Sequence, residues 1–283
     1  MRAQIVDEIF RQSVQKFAAI LCVLTIFFVR FWRKRYQQDV YVRIIQWLHK
    51  EVFKMHYQLE ALFDEWKREI RADEALKGRP FIKDGIIDGK VFIEQKVKTL
   101  FISNESNIDG HFDLDVEYDI RTDFKDYAET GYDCWKGKLR ERVSCLYQVI
   151  ANDYSIPPCK YAKSFAFINL NKTGGGRQID NRIQYFCKQY AKYIREEIGI
   201  IHPDLIVWLG CNTFDNAFIR EDCLGIKKNG KVFCFGKVPV IRMCHTSYSR
   251  IQGERLNVFD NAIVDRMAYR LNMEIKALER STN

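Results

Sequence analysis

Three short polar segments each follow an apolar stretch of strand length, and they hold the side chains best suited to chemistry. Ser103, Asn104 and Glu105 follow the first stretch, Asn169 follows the second, and His245 follows the fourth. A carboxylate, an amide and an imidazole together suit acid–base chemistry and hydrogen bonding to a substrate. Each of them alone also suits a turn, a cap or a surface position. The prediction of a site therefore depends on their meeting in the fold.

The apolar stretches predict how these residues meet. They cover residues 99–102, 165–168, 205–209 and 238–241. Each stretch is apolar on both faces and helical patterns lie between them, which predicts a mainly parallel, four-stranded sheet with helices on both sides. This is a three-layer α/β/α fold. Because ligands bind where the strands of such sheets end, Glu105, Asn169 and His245 are expected to face one crevice.

Helical patterns account for much of the remaining chain. Helices are expected over residues 138–151, 178–197, 213–220 and 255–277, and residues 232–235 are expected to add an edge strand or hairpin. An amphipathic pattern over residues 40–74 predicts one long helix. A cluster of glycine and proline residues then interrupts the helical pattern. We therefore predict an N-terminal helical region over residues 1–76 and an α/β/α domain over residues 77–283.

The N-terminal region contains an uncharged apolar run, FAAILCVLTIFFV at residues 17–29, and a basic run follows it at residues 30–35. A helix that crosses a bilayer needs about 20 apolar residues, so this run is short for that task. A buried or dimer-forming helix is the preferred interpretation, with a homodimer through the N-terminal helices as its consequence. A membrane anchor over residues 17–32 and a cleaved signal segment are the alternatives, but no small-residue cleavage site follows the run.

The composition is that of an ordinary globular protein with a basic balance. The 283 residues are 47% hydrophobic and carry a formal net charge of +8, which suits a polyanionic partner such as DNA. The nine cysteines are odd in number and never occur as C-x-x-C. Neither a disulfide framework nor a zinc or iron–sulfur site is predicted from this pattern. We expect a reducing cytoplasmic location, no metal and no cofactor.

The order of the polar segments resembles that of the uracil-DNA glycosylase superfamily. The segments that carry the resemblance are LFISNE at 100–105, FINLNK at 167–172 and HTS at 245–247. Further segments look like uncharacterised bacterial members: DGIID at 84–88, residues 169–176 and HPDLIV at 202–207. The resemblance covers residues 83–271. Thr246 stands where the family usually has proline, and the first segment lacks the glycine and proline of the uracil-specific branch. The cysteines of the iron–sulfur branches are also absent.

The resemblance implies a monofunctional hydrolase that removes a base from DNA and leaves an abasic site. Glu105 would orient the attacking water and offset positive charge on the sugar, with Asn104 beside it. His245 would hydrogen-bond the departing base, and Asn169 would read the edge of the base through one donor and one acceptor. Enzymes of this kind act on a base that has been turned out of the duplex.

Further residues are expected to contact the base or the DNA backbone. Ser103 and Phe112 are expected in the base pocket, with Phe112 as an aromatic platform. The DNA-contacting residues are expected on two loops: Lys172, Arg177, Ser247, Tyr248 and Arg250. The cations would meet phosphates, while Tyr248 or Arg250 could enter the space that the base leaves in the duplex.

Several alternatives stay open at this point. The excised base could be uracil, another deaminated base or a bulky modified pyrimidine of the kind found in phage genomes, which separates a repair role from antiviral defence. The same crevice would suit a hydrolase or transferase that acts on a nucleotide or carbohydrate, because a carboxylate such as Glu105 and an imidazole such as His245 can serve as acid and base in many reactions. A third interpretation is a non-catalytic module that binds modified DNA.

Overall fold

The computed structural model describes residues 36–105, 117–133, 139–174, 181–243, 250–251, 254–255 and 261–282. Its α-helices are α1 (Tyr36–Ala72), α2 (Gly89–Ile93), α3 (Ile120–Thr130), α4 (Leu139–Ala151), α5 (Asn181–Ile201), α6 (Cys211–Asp215) and α7 (Asn261–Thr282). A 3₁₀ helix covers Pro158–Lys163 and a π-helical segment covers Phe218–Cys223. Its strands are β1 (Ile82–Lys83), β2 (Gly85–Ile86), β3 (Thr99–Glu105), β4 (Tyr118–Asp119), β5 (Ala166–Asn171), β6 (Leu205–Leu209), β7 (Ile226–Asn229), β8 (Val232–Phe235), β9 (Val238–Met243), β10 (Arg250–Ile251) and β11 (Glu254–Arg255).

A seven-stranded sheet lies at the centre, in the strand order β2-β5-β3-β6-β9-β8-β7. The inner strands β5, β3, β6 and β9 run parallel to one another, which confirms the prediction of a mostly parallel sheet. β2 pairs antiparallel at one edge, and β8 and β7 form an antiparallel hairpin at the other. The sheet is therefore wider than the four strands predicted. The sequence contains no signal for β2, which has only two residues, or for β7, whose sequence is polar like that of a loop.

Side chains on the inner strands alternate between two hydrophobic layers. Leu100 and Ile102 belong to a layer that also contains residues of α1 and α5. Phe101, between them, belongs to a layer that contains residues of α3, α4 and α7. This alternation explains why the predicted strands are apolar on both faces. Helices therefore cover both faces of the sheet, which is compatible with a three-layer α/β/α arrangement.

α1 is a single helix of 37 residues, as the sequence predicted, and its two halves differ. The second half contributes Leu59, Phe63 and Trp66 to the same core as the sheet. The ring of Trp66 stacks on that of Tyr193 in α5, with centroids 5.3 Å apart. In the first half, Trp47 is 56% exposed. The second half of α1 thus belongs structurally with the α/β domain, so the boundary predicted at residue 77 does not separate two cores.

The helix predicted over residues 213–220 is instead two short segments, α6 and the π-helical segment. Asn216 separates them, because its extended backbone ends α6. Its Oδ1 then accepts a hydrogen bond from the backbone N of Phe218 over 3.1 Å, which starts the next segment. This is the usual role of an asparagine at a helix start, where its side chain replaces a missing backbone acceptor.

The apolar run at residues 17–29 lies outside the described residues, and so does the basic run that follows it. Within the ranges given above, no helix is both long enough and apolar enough to cross a membrane. The buried or dimer-forming helix and the membrane anchor therefore stay predictions for this part of the chain.

Candidate functional site

The ends of β3 and β5 lie side by side at the carboxyl edge of the sheet. Ser103 of β3 is the register partner of Asn169 of β5, and Glu105 is the partner of Asn171. In a parallel pair these residues are neighbours across about 4.8 Å. The fold thus places the backbone of the predicted carboxylate segment next to the predicted amide.

The loop that carries His245 begins at the same edge. The backbone N of Gly210, after β6, donates to the carbonyl oxygen of Met243, the last residue of β9, over 3.0 Å. His245 follows Met243 by two positions and lies outside the described residues. Other predicted site residues also lie outside them: Phe112, Arg177, Ser247 and Tyr248. For Glu105 and Arg250 only the backbone is described.

Asn169, the predicted reader of the base edge, is held by a buried carboxylate. Its backbone N donates to Asp84 Oδ2 over 2.7 Å, and its side-chain Nδ2 lies 3.4 Å from the same oxygen. Asp84 has no exposed surface and Asn169 is 1% exposed. A charged acceptor makes a stronger hydrogen bond in a dry site than in water. Asp84 therefore fixes the end of β5 and restrains the Asn169 amide.

Lys172 lies in the interior rather than on a DNA-facing loop. Its ammonium forms a short hydrogen bond with Asp84 Oδ1 and lies 2.8 Å from Glu197 Oε2. It also lies 5.2 Å from the centroid of the Trp66 ring, within the range of a cation–π interaction. The side chain has no exposed surface. The predicted contact between Lys172 and a DNA phosphate is therefore corrected, because this lysine is placed to neutralise buried carboxyl groups.

Asp84, Lys172 and Glu197 form what we call the buried charge cluster, in which one ammonium faces two carboxyl groups. Burial raises the pKa of Glu197 well above its usual value, the Lys172 ammonium offsets part of this rise, and Asp84 adds to it. Burial is the largest of these effects, so the folded protein keeps a proton on Glu197 to a higher pH than the unfolded chain does.

Replacing Glu197 by glutamine is expected to change how stability depends on pH. Because its pKa is raised, the folded wild type holds a proton that the unfolded chain loses above about pH 4.3. Wild-type stability therefore falls as pH rises above that value, by up to about 1.4 kcal/mol per pH unit from this group, until the folded-state pKa is passed. The Glu197→Gln variant has no carboxyl group at this position, so it does not lose stability in this way as pH rises. Its free energy of unfolding in urea should therefore rise relative to the wild type as pH increases above about 4.3.

Glu196→Gln is the matched control, because Glu196 is the exposed neighbour on the same helix. Its stability curve should run parallel to that of the wild type across the pH range. A parallel curve for Glu197→Gln as well would contradict a raised pKa of Glu197 in the folded protein.

Asn104, predicted to act beside Glu105, instead supports the loop after β6. Thr213 Oγ1 donates to Asn104 Oδ1 over 2.5 Å and accepts from Trp208 Nε1 over 3.2 Å. Asn104 is only 5% exposed. Successive residues of a strand point to opposite faces, so Asn104 and Ser103 do not line the same face. These contacts make Asn104 a positioning residue that ties β3 to the start of α6.

A methyl group at Gly210 is expected to break this support. A Cβ there would clash with Asn104 Oδ1 and would lie 2.8 Å from Thr213 Oγ1. Because both groups are packed and hydrogen-bonded, Gly210→Ala should lower the free energy of unfolding by about 1–3 kcal/mol. Gly199→Ala is the control, since a Cβ at Gly199 meets no atom within 4 Å. If Gly210→Ala unfolds at the same urea concentration as the wild type, the close packing around Asn104 is not what supports the loop.

The sequence patterns gave no role to Asp84 or Glu197, although Asp84 begins the DGIID segment that contributes to the resemblance. Glu197 lies on the apolar stripe of α5, four residues after Tyr193 and four before Ile201, which are both core residues. A carboxylate in such a stripe signals a buried ionisable group that needs a partner. Asp84 gives no comparable signal, because its partner Lys172 lies 88 residues away.

A separate cleft of about 470 Å³ lies beside the edge strand β2. Apolar side chains of α1 and β2 and several charged side chains line it. Asp88 and Asp119 are already engaged as caps of α2 and α3, and Arg121 pairs with Glu60 and Asp119. In the part of the chain that the structure describes, no group of histidine, cysteine and acidic side chains is arranged to hold a metal ion.

Comparison with known proteins gives no family assignment. No protein-family model matches the sequence, and a search of curated proteins found no match. The resemblance to the uracil-DNA glycosylase superfamily therefore depends on the short segments around Glu105, Asn169 and His245.

Proposed function

We propose that this protein is a DNA N-glycosylase, which hydrolyses the N-glycosidic bond of a modified pyrimidine turned out of the duplex and leaves an abasic site. The observation that carries the proposal is the register of β3 and β5, which sets Ser103 beside Asn169 and the backbone of Glu105 beside that of Asn171. They lie at the carboxyl edge of the sheet, where ligands bind in folds of this kind. Base removal needs one group at the sugar and one at the base, and adjacent strand ends can supply both.

Glu105 and Asn169 have different tasks in this proposal. Breaking the N-glycosidic bond develops positive charge on the sugar and requires a water molecule at C1′. The ionised Glu105 carboxylate offsets that charge and orients the water. The Asn169 amide, restrained by Asp84, offers one donor and one acceptor to the edge of a pyrimidine. His245 donates a hydrogen bond to the departing base and stabilises the negative charge there, a task that a neutral imidazole can perform.

DNA is the partner that this chemistry and the charge of the protein favour. The net charge of +8 favours binding to a polyanion. Extruding a base from the duplex costs a few kcal/mol, least for a mismatched or damaged base. A bulky modified pyrimidine as substrate would give the protein a role in defence against phage DNA, and a deaminated base would give it a role in repair. Ser103 and Phe112 are the proposed pocket residues that choose between these substrates.

Incubation of the full-length protein with DNA that carries different bases tests the proposal. The panel contains uracil, other deaminated bases and pyrimidines with bulky 5-substituents, each in duplex and single-stranded form. Abasic sites are detected as strand breaks that appear only after alkali. We expect breaks at one class of base. DNA binding without a break on any panel member would overturn the glycosylase and favour a non-catalytic module.

A further inference from the structure

The antiparallel hairpin of β7 and β8 extends the sheet beyond β9. Its turn contains Gly230, whose φ of 59° favours glycine, and Lys231. Phe233 of β8 is the register partner of Val240 of β9. Because β8 runs antiparallel to β9, the turn before β8 lies toward the carboxyl end of β9. It therefore lies at the same edge of the sheet as Asn169.

Aromatic packing fixes the hairpin to the rest of the domain. The rings of Phe233 and Phe214 meet edge to face with centroids 5.0 Å apart. The guanidinium of Arg220 lies 4.8 Å from the centroid of the Phe233 ring. Ile226, the first residue of β7, has no exposed surface. These contacts hold the hairpin in place against the domain, so its exposed side chains have a fixed position in the fold.

Three exposed lysines occur within five positions of this hairpin, at Lys227, Lys228 and Lys231. Lys227 and Lys228 are successive residues of β7, so they face opposite sides of the sheet. In the residues that the structure describes, none of the three forms an ion pair or a hydrogen bond through its side chain. Asp215 forms an ion pair with Arg242 of the neighbouring strand β9, so it does not neutralise these lysines. Exposed cations without an ion-pair partner attract a polyanion.

We propose that Lys228 and Lys231 bind backbone phosphates of the DNA to one side of the extruded base, an inference that rests on the proposed function. Asn169 is on β5 and neighbouring strands lie about 4.8 Å apart, so the four steps from β5 through β3, β6 and β9 to β8 span about 19 Å. Phosphates along one DNA strand advance about 3.4 Å per nucleotide along the helix axis. The turn therefore reaches the DNA backbone about six nucleotides from the base that Asn169 reads.

The other turn beside β8 supplies a matched control. Gly236 and Lys237 join β8 to β9 at the amino end of β9, and Lys237 is also exposed. The four residues of β8 separate the two turns by about 13 Å. Lys237 thus carries the same charge as Lys228 and Lys231 and lies in the same antiparallel part of the sheet, formed by β7, β8 and β9. It lies, however, at the opposite edge of the sheet.

The test measures DNA affinity against salt concentration by fluorescence anisotropy, with a labelled duplex and the full-length protein. Each phosphate contact contributes about 0.9 to the slope of log affinity against log salt. The double variant Lys228→Gln/Lys231→Gln should lower the magnitude of the slope by about 2 and weaken binding on the order of tenfold at about 0.2 M salt. Lys237→Gln should change neither. Equal melting temperatures establish that both variants are folded.

Equal slopes for the wild type and the double variant would overturn the hairpin proposal, and so would an equal loss of slope in Lys237→Gln. Excision on the base panel at saturating protein separates this outcome from failure of the proposed function. Excision by the wild type without a slope change in the double variant overturns the hairpin alone. A slope change confined to the double variant, with no excision by the wild type, supports the hairpin and overturns the glycosylase.

Discussion

Glutamine in place of Glu105 is expected to lower the single-turnover rate of base excision by a factor of about 10² to 10⁴. Glutamine keeps the size of the side chain but cannot carry the negative charge that offsets positive charge on the sugar. The backbone of Glu105 pairs with Asn171 in the sheet, and the substitution leaves that pairing intact. DNA affinity should stay within about twofold of the wild type, because phosphate contacts dominate it. Excision kinetics and fluorescence anisotropy measure the two quantities separately.

Glu94→Gln is the matched control for this prediction. Glu94 is an exposed glutamate that precedes β3, so it lies before the strand whose far end carries Glu105. Its excision rate should equal that of the wild type. An unchanged rate for Glu105→Gln would show that the carboxylate takes no part in the reaction, whereas a loss of DNA affinity equal to the loss of rate would assign it to binding.

Methionine in place of Lys172 is expected to lower the free energy of unfolding by about 3–5 kcal/mol. The substitution removes the only ammonium of the buried charge cluster and leaves Asp84 as a buried carboxylate without its cation. Methionine is long and flexible enough to fill most of the space, so the cost comes from charge rather than from a cavity. Urea denaturation near neutral pH measures the change.

Two further variants isolate the cause of this loss. Lys188→Met changes an exposed lysine of α5 and should leave stability close to that of the wild type. The triple variant Asp84→Asn/Lys172→Met/Glu197→Gln should recover part of the loss, because the three positions of the cluster then carry no charge. If Lys172→Met is as stable as Lys188→Met, the cluster does not depend on a buried ion pair.

Local sequence patterns were sufficient to predict the inner sheet. The four apolar stretches are the four parallel strands, because a strand that is covered on both faces has no polar side. The edge strands left weaker signals: β2 has two residues, and β7 carries three polar residues on an exposed edge. Such strands are defined by pairing with a neighbour, and no local pattern of hydrophobicity records that pairing.

The residues of the candidate site were likewise predicted only in part. Ser103 and Asn169 lie side by side because strand order and register place them there. The predictions for Lys172 and Asn104 depended on their positions after or near the end of a strand, but tertiary partners decide their roles. The partners Glu197 and Thr213 come from helices far along the chain. Position relative to a strand end therefore predicts where a site lies better than it predicts which side chains face it.

Release of a free base is the measurement that tests the proposed reaction most directly. The base panel is incubated with the wild type and with Glu105→Gln, and the small-molecule fraction is analysed by mass spectrometry. We expect the intact modified pyrimidine in an amount equal to the alkali-labile sites, from a DNA strand that stays whole until alkali is added. Glu105→Gln should release almost none. Release of a nucleotide instead of a base, or equal base release by both proteins, would contradict N-glycosidic hydrolysis at Glu105.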